Sequence, residues 1–171
     1  MELKDTTSAM VVIEDVAKKY LELGYPSDAA ISYGVNIRPL IDRGNYTTAK
    51  SYIDMYESMS GRFDSLGNIE SGREIYYNIK GLYFLRTNVL DSAEYYFRKE
   101  MHEGKDYSNQ NSAANGLSLF FQKKHNPDSA AKYAIYAYTM LDSVYAQRAT
   151  KEVERMQAMY DYTRHQEIAR Q

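Results

Sequence analysis

The stretch YNIKGLYFLRTNVLDSAEYYF, residues 77–97, contains two helical patterns joined by a turn at Asn88. Apolar and aromatic residues recur three and four positions apart on both sides of that turn, which is the spacing of one helix face. Gly81 lies inside the first pattern, where glycine costs about 1 kcal/mol relative to alanine. We expect this glycine to mark a place where a second helix passes close by, so the stretch predicts a helical hairpin.

Four short segments of the chain are alike, and one of them is the start of the second helix of this hairpin. Each combines a small hydroxyl residue with a following alanine, and the alanines are Ala9, Ala49, Ala93 and Ala130. Their separations of 40, 44 and 37 residues each contain two helical patterns. Five residues before the last three alanines lie Gly44, Asn88 and His125. A repeated helix pair explains this, with a small side chain wherever the second helix crosses the first.

Turn residues divide the whole chain into eight predicted helices, near 7–23, 28–43, 46–60, 69–87, 90–104, 108–124, 127–145 and 147–170. The short connections between them predict antiparallel neighbours. Asn126 is expected to cap the helix that starts at Pro127, and the spacing of Asp91 and Glu94 matches a capping box. Pro39 is expected to kink or split the second helix.

The repeated columns resemble the tetratricopeptide repeat (TPR), whose pattern places aromatic, glycine, turn and alanine positions in this order. In the best-matching unit the fitting residues are Tyr77, Gly81, Phe84, Asn88, Ala93 and Phe97. Two other units match less completely, with Ile37 and Ser118 at the glycine position. The resemblance implies an all-α fold, a right-handed superhelix of antiparallel helix pairs over residues 1–145, with residues 146–171 as a capping or connector helix.

Composition and charge argue against several functions. A formal net charge of −2 and a pI near 5.9 do not fit a nucleic-acid-binding surface. Cysteine is absent, which excludes disulfides and thiolate metal sites, and no apolar run is long enough to span a membrane. His102, His125 and His165 are far apart, and no nucleophile or phosphate-loop motif occurs. The sequence therefore predicts a protein that is not an enzyme and has no cofactor or metal.

In a TPR-like array the first helix of each pair lines an inner surface, where ligands bind. The repeat register assigns six polar candidates to that surface: Arg38, Asp42, Asn78, Arg86, Asn115 and Lys123. Asparagine can donate to and accept from a peptide backbone, and the cations attract carboxylates. The sequence thus predicts a groove for a protein or peptide ligand. The alternative is an ordinary solvated polar face.

The C-terminal segment predicts a different role from the repeats. Val153, Met156, Tyr160 and Thr163 form a narrow stripe that could cap the last repeat. The polar residues after Tyr162 resemble the connection between the extracytoplasmic repeat domains of bacterial sensor proteins and a following membrane helix. This likeness favours the sensing part of a larger bacterial signalling or transcription regulator, on the extracytoplasmic rather than the cytoplasmic side. The alternatives are a cytoplasmic scaffold, and a self-assembly module that dimerises through some of the 18 tyrosines.

Overall fold

A computed structural model describes the backbone of residues 2–170 and the side chains of residues 8–166. This part of the chain is all-helical, as predicted, and contains no strand. Its seven helices are α1 (Glu2–Glu22), α2 (Pro26–Asp42), α3 (Tyr46–Met59), α4 (Ile75–Arg86), α5 (Leu90–Glu103), α6 (Tyr107–Lys123) and α7 (Pro127–Arg170). None of these helices is both long enough and apolar enough to cross a bilayer, in keeping with the prediction for this region.

Consecutive helices pack as antiparallel pairs, namely α1 with α2, α2 with α3, α4 with α5, and α6 with α7. In the α2–α3 pair, the Ser27 hydroxyl near the start of α2 donates to the Ser60 carbonyl at the end of α3, at 2.8 Å. The pairs also contact one another, because α4 packs against both α2 and α6. The first helices of the α2–α3, α4–α5 and α6–α7 pairs therefore lie side by side in the order α2, α4, α6.

Four of the connections are the same kind of turn. Gly24, Gly44, Asn88 and His125 have positive φ angles of 80°, 77°, 65° and 54°. In each case the next N–H donates to a carbonyl five residues earlier, as Val89 does to Phe84 at 2.8 Å and Asn126 does to Phe121 at 2.9 Å. This is the Schellman ending of a helix, which requires a left-handed residue. Gly44, Asn88 and His125, each five residues before a repeated alanine, thus lie in the predicted turns.

Of the two helix caps predicted from the sequence, one is confirmed and the other is wrong. The Asn126 side chain accepts from the Ser129 N–H at 3.0 Å, so the predicted cap of α7 is confirmed. The predicted capping box of α5 is wrong, because α5 begins at Leu90 without a side-chain cap. Asp91 lies inside its first turn, where a negative charge is favourable near the positive end of the helix dipole.

The alanines at the predicted crossings are buried. Ala49 and Ala93 are 0 % exposed and Ala130 is 6 % exposed. Ser118 of α6 donates its hydroxyl to the Ala130 carbonyl at 2.9 Å, so the two helices touch at this point. Ala9 is exposed instead, and the fully buried alanine of α1 is Ala17. The burial predicted for the repeated alanine is therefore confirmed at three of the four positions, and the register assigned to α1 is wrong.

Gly81 lies where another helix makes a close approach, as the sequence predicted. A Cβ atom added at Gly81 would lie 2.6 Å from the ring of Phe97, and one added at Gly116 would lie 2.3 Å from the same ring. Phe97 of α5 is fully buried between these two glycines of α4 and α6. One aromatic ring therefore links a helix pair to the next pair.

Helix α7 differs most from the sequence prediction, since it is one helix of 44 residues instead of two. At 1.5 Å per residue it is about 66 Å long. The stretch LDSVYAQRAT, residues 141–150, contains no glycine or proline, so nothing in it ends a helix. Val153, Met156 and Tyr160 are 60 %, 55 % and 64 % exposed, and Thr163 is exposed too. These four side chains therefore do not cap the last helix pair.

Pro39 does not split α2, which continues to Asp42. The proline lies in the last turn of α2. Because it has no backbone N–H, the helix loses only one hydrogen bond near its end. Leu40 and Ile41 directly after it are 4 % and 1 % exposed. Their burial holds the end of the helix in place.

Candidate functional site

A recess of about 490 Å³ lies on the face formed by the first helices of the pairs. Most of its lining side chains carry amide or hydroxyl groups, with Arg38 from α2 at one side. We call this recess the groove, and the lining residues used below are Arg38, Asn78, Asn111, Ser112, Asn115, Leu119 and Gln122. The groove therefore presents hydrogen-bond donors and acceptors from neighbouring helices on one surface.

A second recess of about 390 Å³ adjoins the groove. It shares Leu119 and Gln122 with the groove, and Arg86 and Lys123 line its other side. Because the two recesses have common walls, they form a single surface that runs from the amides toward the two cations. Five of the six predicted side chains line this surface, and Asp42 contacts it through Arg38.

Arg38 and Asp42 are paired with each other. The Arg38 Nε lies 3.1 and 2.9 Å from the two carboxylate oxygens of Asp42, one helical turn away. Both side chains are about half exposed. A ligand carboxylate would have to compete with Asp42 for this guanidinium, so Arg38 is a weaker anion site than its charge alone suggests.

The two predicted asparagines have different environments. Asn78 is buried, and its Nδ2 donates to the Ser112 carbonyl at 2.8 Å. This bond joins α4 to α6 below the groove. Asn115 is exposed, and its Nδ2 lies 3.4 Å from Asn111 Oδ1. Asn78 therefore supports the floor of the groove, whereas Asn115 offers its amide to the open side.

The two predicted cations also differ. Lys123 donates to the Leu85 carbonyl at 2.9 Å, near the end of α4, where cations are favourable because of the helix dipole. Arg86 is exposed at the rim of the second recess. Lys123 therefore helps to hold α6 against α4, and Arg86 is better placed to contact a ligand. Whether any of the six side chains binds a ligand stays a prediction.

Sequence reasoning missed a buried carboxyl group below the groove. Glu100 of α5 is 0 % exposed, and its Oε1 accepts a short hydrogen bond from the Ser112 hydroxyl. Burial raises the pKa of Glu100 to about 8, even though hydrogen bonds from Ser112 and Asn78 act in the opposite direction. Its Oε2 has no hydrogen-bond partner among the described residues.

A signal for Glu100 was present in the sequence. Ala93, Phe97 and Glu100 follow one another at spacings of four and three, which is the buried side of α5. A charged residue in that register indicates a buried polar group. Asn111 could also have been found, because it lies one turn before Asn115 on the same helix face.

A recess of about 370 Å³ on another side of the molecule, below the 60–74 loop, contains two lysines. Lys80 forms a short ion pair with Glu57, and Lys99 donates to Asn68 Oδ1 at 2.6 Å. Lys80 also lies over the Tyr96 ring, 4.7 Å from its centroid. These contacts already engage both lysines, because Lys99 fastens the loop and Lys80 joins α4 to Glu57 of α3, so we favour the groove as the candidate site.

Comparisons of the chain with protein-family models, with curated proteins and with solved structures gave no match.

Proposed function

We propose that this chain binds a protein or peptide segment in the groove and performs no catalysis. The observation that carries the proposal is the set of amide side chains on one face of α6, where Asn111, Asn115 and Gln122 line the groove and the apolar Leu119 lies one turn after Asn115. Amides both donate and accept, so they suit the alternating N–H and C=O groups of an extended chain. Leu119 is 39 % exposed and offers an apolar contact to a ligand side chain.

We also propose that the helix pairs form a TPR-like superhelix. The buried alanines at the crossings and the side-by-side packing of α2, α4 and α6 support a TPR-like superhelix, in which first helices line the ligand surface. Within that architecture we assign the chain to the sensing or interaction part of a larger bacterial regulator.

Ligand binding would change the packing of α7 on α6 through hydrogen bonds that α6 side chains at the groove make to α7. Asn111 donates its Nδ2 to the Ala137 carbonyl of α7 at 2.7 Å. Gln110, its neighbour, accepts from the Tyr136 hydroxyl at 3.0 Å. A ligand that engages Asn111 therefore acts one hydrogen bond away from α7, and it would bias the tilt between α6 and α7.

A selection experiment tests the proposal without a known ligand. Peptides are selected from a random phage-displayed library on the intact chain, and their dissociation constants are measured by fluorescence anisotropy. The groove variant is Leu119→Glu, and the matched control is Leu66→Glu, a leucine that is 84 % exposed at the tip of the 60–74 loop. Circular dichroism verifies that both variants fold.

We expect Leu119→Glu to weaken binding by at least about tenfold, which is ~1.4 kcal/mol, because it places a charge on the wall of the groove. The control should leave the affinity unchanged. Peptides that bind the wild type and the folded Leu119→Glu variant equally well would show that the groove is not the binding site.

A further inference from the structure

The exposed side of α7 carries a continuous apolar stripe that the groove does not use. Its members recur three and four residues apart, so they form one line along the helix. They are Tyr138, Leu141, Tyr145, Ala149, Val153, Met156 and Tyr160. The six large side chains among them are between 37 % and 71 % exposed. Among the described residues no other element covers this line.

The stripe turns away from the helix pair along α7, because Leu141 lies only about 40° around the helix from the buried Ala137 and the later members lie farther from the buried side. Ala130, Ala137 and Val144 are the buried residues of α7, and they mark the side that packs on α6. At 100° per residue, Ala149 lies about 140° around the helix from Val144. A second helix can therefore lie along the stripe without displacing α6.

Few side-chain contacts stabilise the C-terminal part of α7 as a solitary helix, where Gln157 donates to Asp161 and Gln166 donates to the Tyr162 hydroxyl. All of residues 145–166 are exposed, and no ion pair forms between side chains in this range. Helices in proteins gain most of their stability from packing of an apolar face. This segment has such a face, and no residue of the other described helices or loops packs on it.

We infer that this stripe is the dimerisation surface of the protein and that it pairs with α7 of a second copy in antiparallel orientation. The spacing of the stripe is nearly symmetric about Ala149: large side chains lie 4, 8 and 11 residues before it, and 4, 7 and 11 residues after it. A two-fold symmetric contact needs this kind of self-complementary pattern, whereas binding to an unrelated helix does not.

The symmetry defines the contacts of the dimer. A two-fold axis at Ala149 places Tyr145 opposite Val153 of the second copy and Tyr138 opposite Tyr160 of the second copy. Alanine at the centre lets the helix axes approach to about 8 Å, the short end of the usual range. The largest side chains lie farthest from this closest contact.

The exposed apolar area is on the scale of an interface. Tyr138, Tyr145 and Tyr160 are 71 %, 60 % and 64 % exposed. Taking about 200 Å² for each aromatic side chain, they alone present roughly 400 Å². Val153 and Met156, both more than half exposed, extend this area toward the ~800 Å² per partner of a stable complex.

Light scattering and sedimentation of the full chain across micromolar concentrations test the inference. The wild type should show a concentration-dependent species of twice the 19.8 kDa monomer mass. Ala149→Glu brings two carboxylates together on the axis, so we expect the dimer dissociation constant to rise by at least about tenfold. Ala158→Glu is the matched control, because Ala158 is exposed on the same segment but lies away from the stripe.

Disulfide cross-linking tests the orientation, since the chain has no cysteine of its own and a disulfide needs Cα atoms within about 7 Å. Ala149→Cys should cross-link to itself and Ala158→Cys should not. A mixture of Tyr138→Cys and Tyr160→Cys chains should give mainly the mixed product. A protein that stays monomeric, a dimer that survives Ala149→Glu unchanged, or self-linked products from the mixture would each overturn the inference.

Discussion

Replacing Glu100 by glutamine should remove a pH dependence of stability that this carboxyl group imposes on the fold. Burial raises the pKa of Glu100 from an ordinary value of 4.5 to about 8. Between these two values the folded state holds a proton that the unfolded state has lost. Because the unfolded state binds fewer protons, the free energy of unfolding falls as the pH rises through this window. The contribution is complete below about pH 4.5 and lost by about pH 8.

The size of the effect follows from the shift. A rise of the pKa from 4.5 to about 8, at ~1.4 kcal/mol for each pKa unit, sets an upper limit of about 5 kcal/mol. Glutamine can still accept the hydrogen bond that Ser112 donates, but it does not titrate. The stability of Glu100→Gln relative to the wild type should therefore increase by several kcal/mol between about pH 5 and about pH 8.

Urea unfolding followed by circular dichroism at the two pH values measures this difference. Glu154→Gln, on the exposed part of α7, is the matched control and should follow the wild type at both. If the stability difference between Glu100→Gln and the wild type were the same at both pH values, the burial of a protonated carboxyl group at this position would be disproved.

Two further predictions concern contacts that α4 makes with its neighbouring helices. Gly81→Ala should lower the free energy of unfolding by about 1–3 kcal/mol in urea titrations, despite the better helix propensity of alanine, because the new methyl group would meet the Phe97 ring. The added change Phe97→Leu should recover part of that loss, and a stabilised Gly81→Ala protein would contradict the close approach. Asn78→Ala should cost about 1–3 kcal/mol because it removes the hydrogen bond that joins α4 to the Ser112 carbonyl of α6, whereas Asn115→Ala should change the stability by less than about 0.5 kcal/mol. Equal losses for the two asparagines would argue against the bridge from α4 to α6.

The sequence predicted those features of the fold that a single residue type can enforce. A left-handed turn favours glycine or asparagine, and a tight crossing requires a small side chain, so Gly44, Asn88 and Ala93 identify their positions by themselves. The same reasoning failed for α1, because small residues also occur on exposed helix faces. Ala9 matches the repeat in sequence, but it is exposed and not buried at a helix crossing.

The features that the sequence did not predict depend on packing between distant helices. The bond from Lys123 to the Leu85 carbonyl joins two helices whose register no local pattern determines. The ion pair of Arg38 and Asp42 is a contrasting example, since its spacing of four residues on one helix was visible beforehand. The continuity of α7 through residue 146 was missed because a break was expected where no residue enforces one.

Hydrogen exchange of the full chain, with and without a saturating selected peptide, tests the proposed groove most directly. We expect slower exchange in α4 and α6 and in the part of α7 that Asn111 contacts, with little change in the 60–74 loop. Protection confined to that loop, or no protection in α6, would contradict the proposal that the first helices hold the ligand.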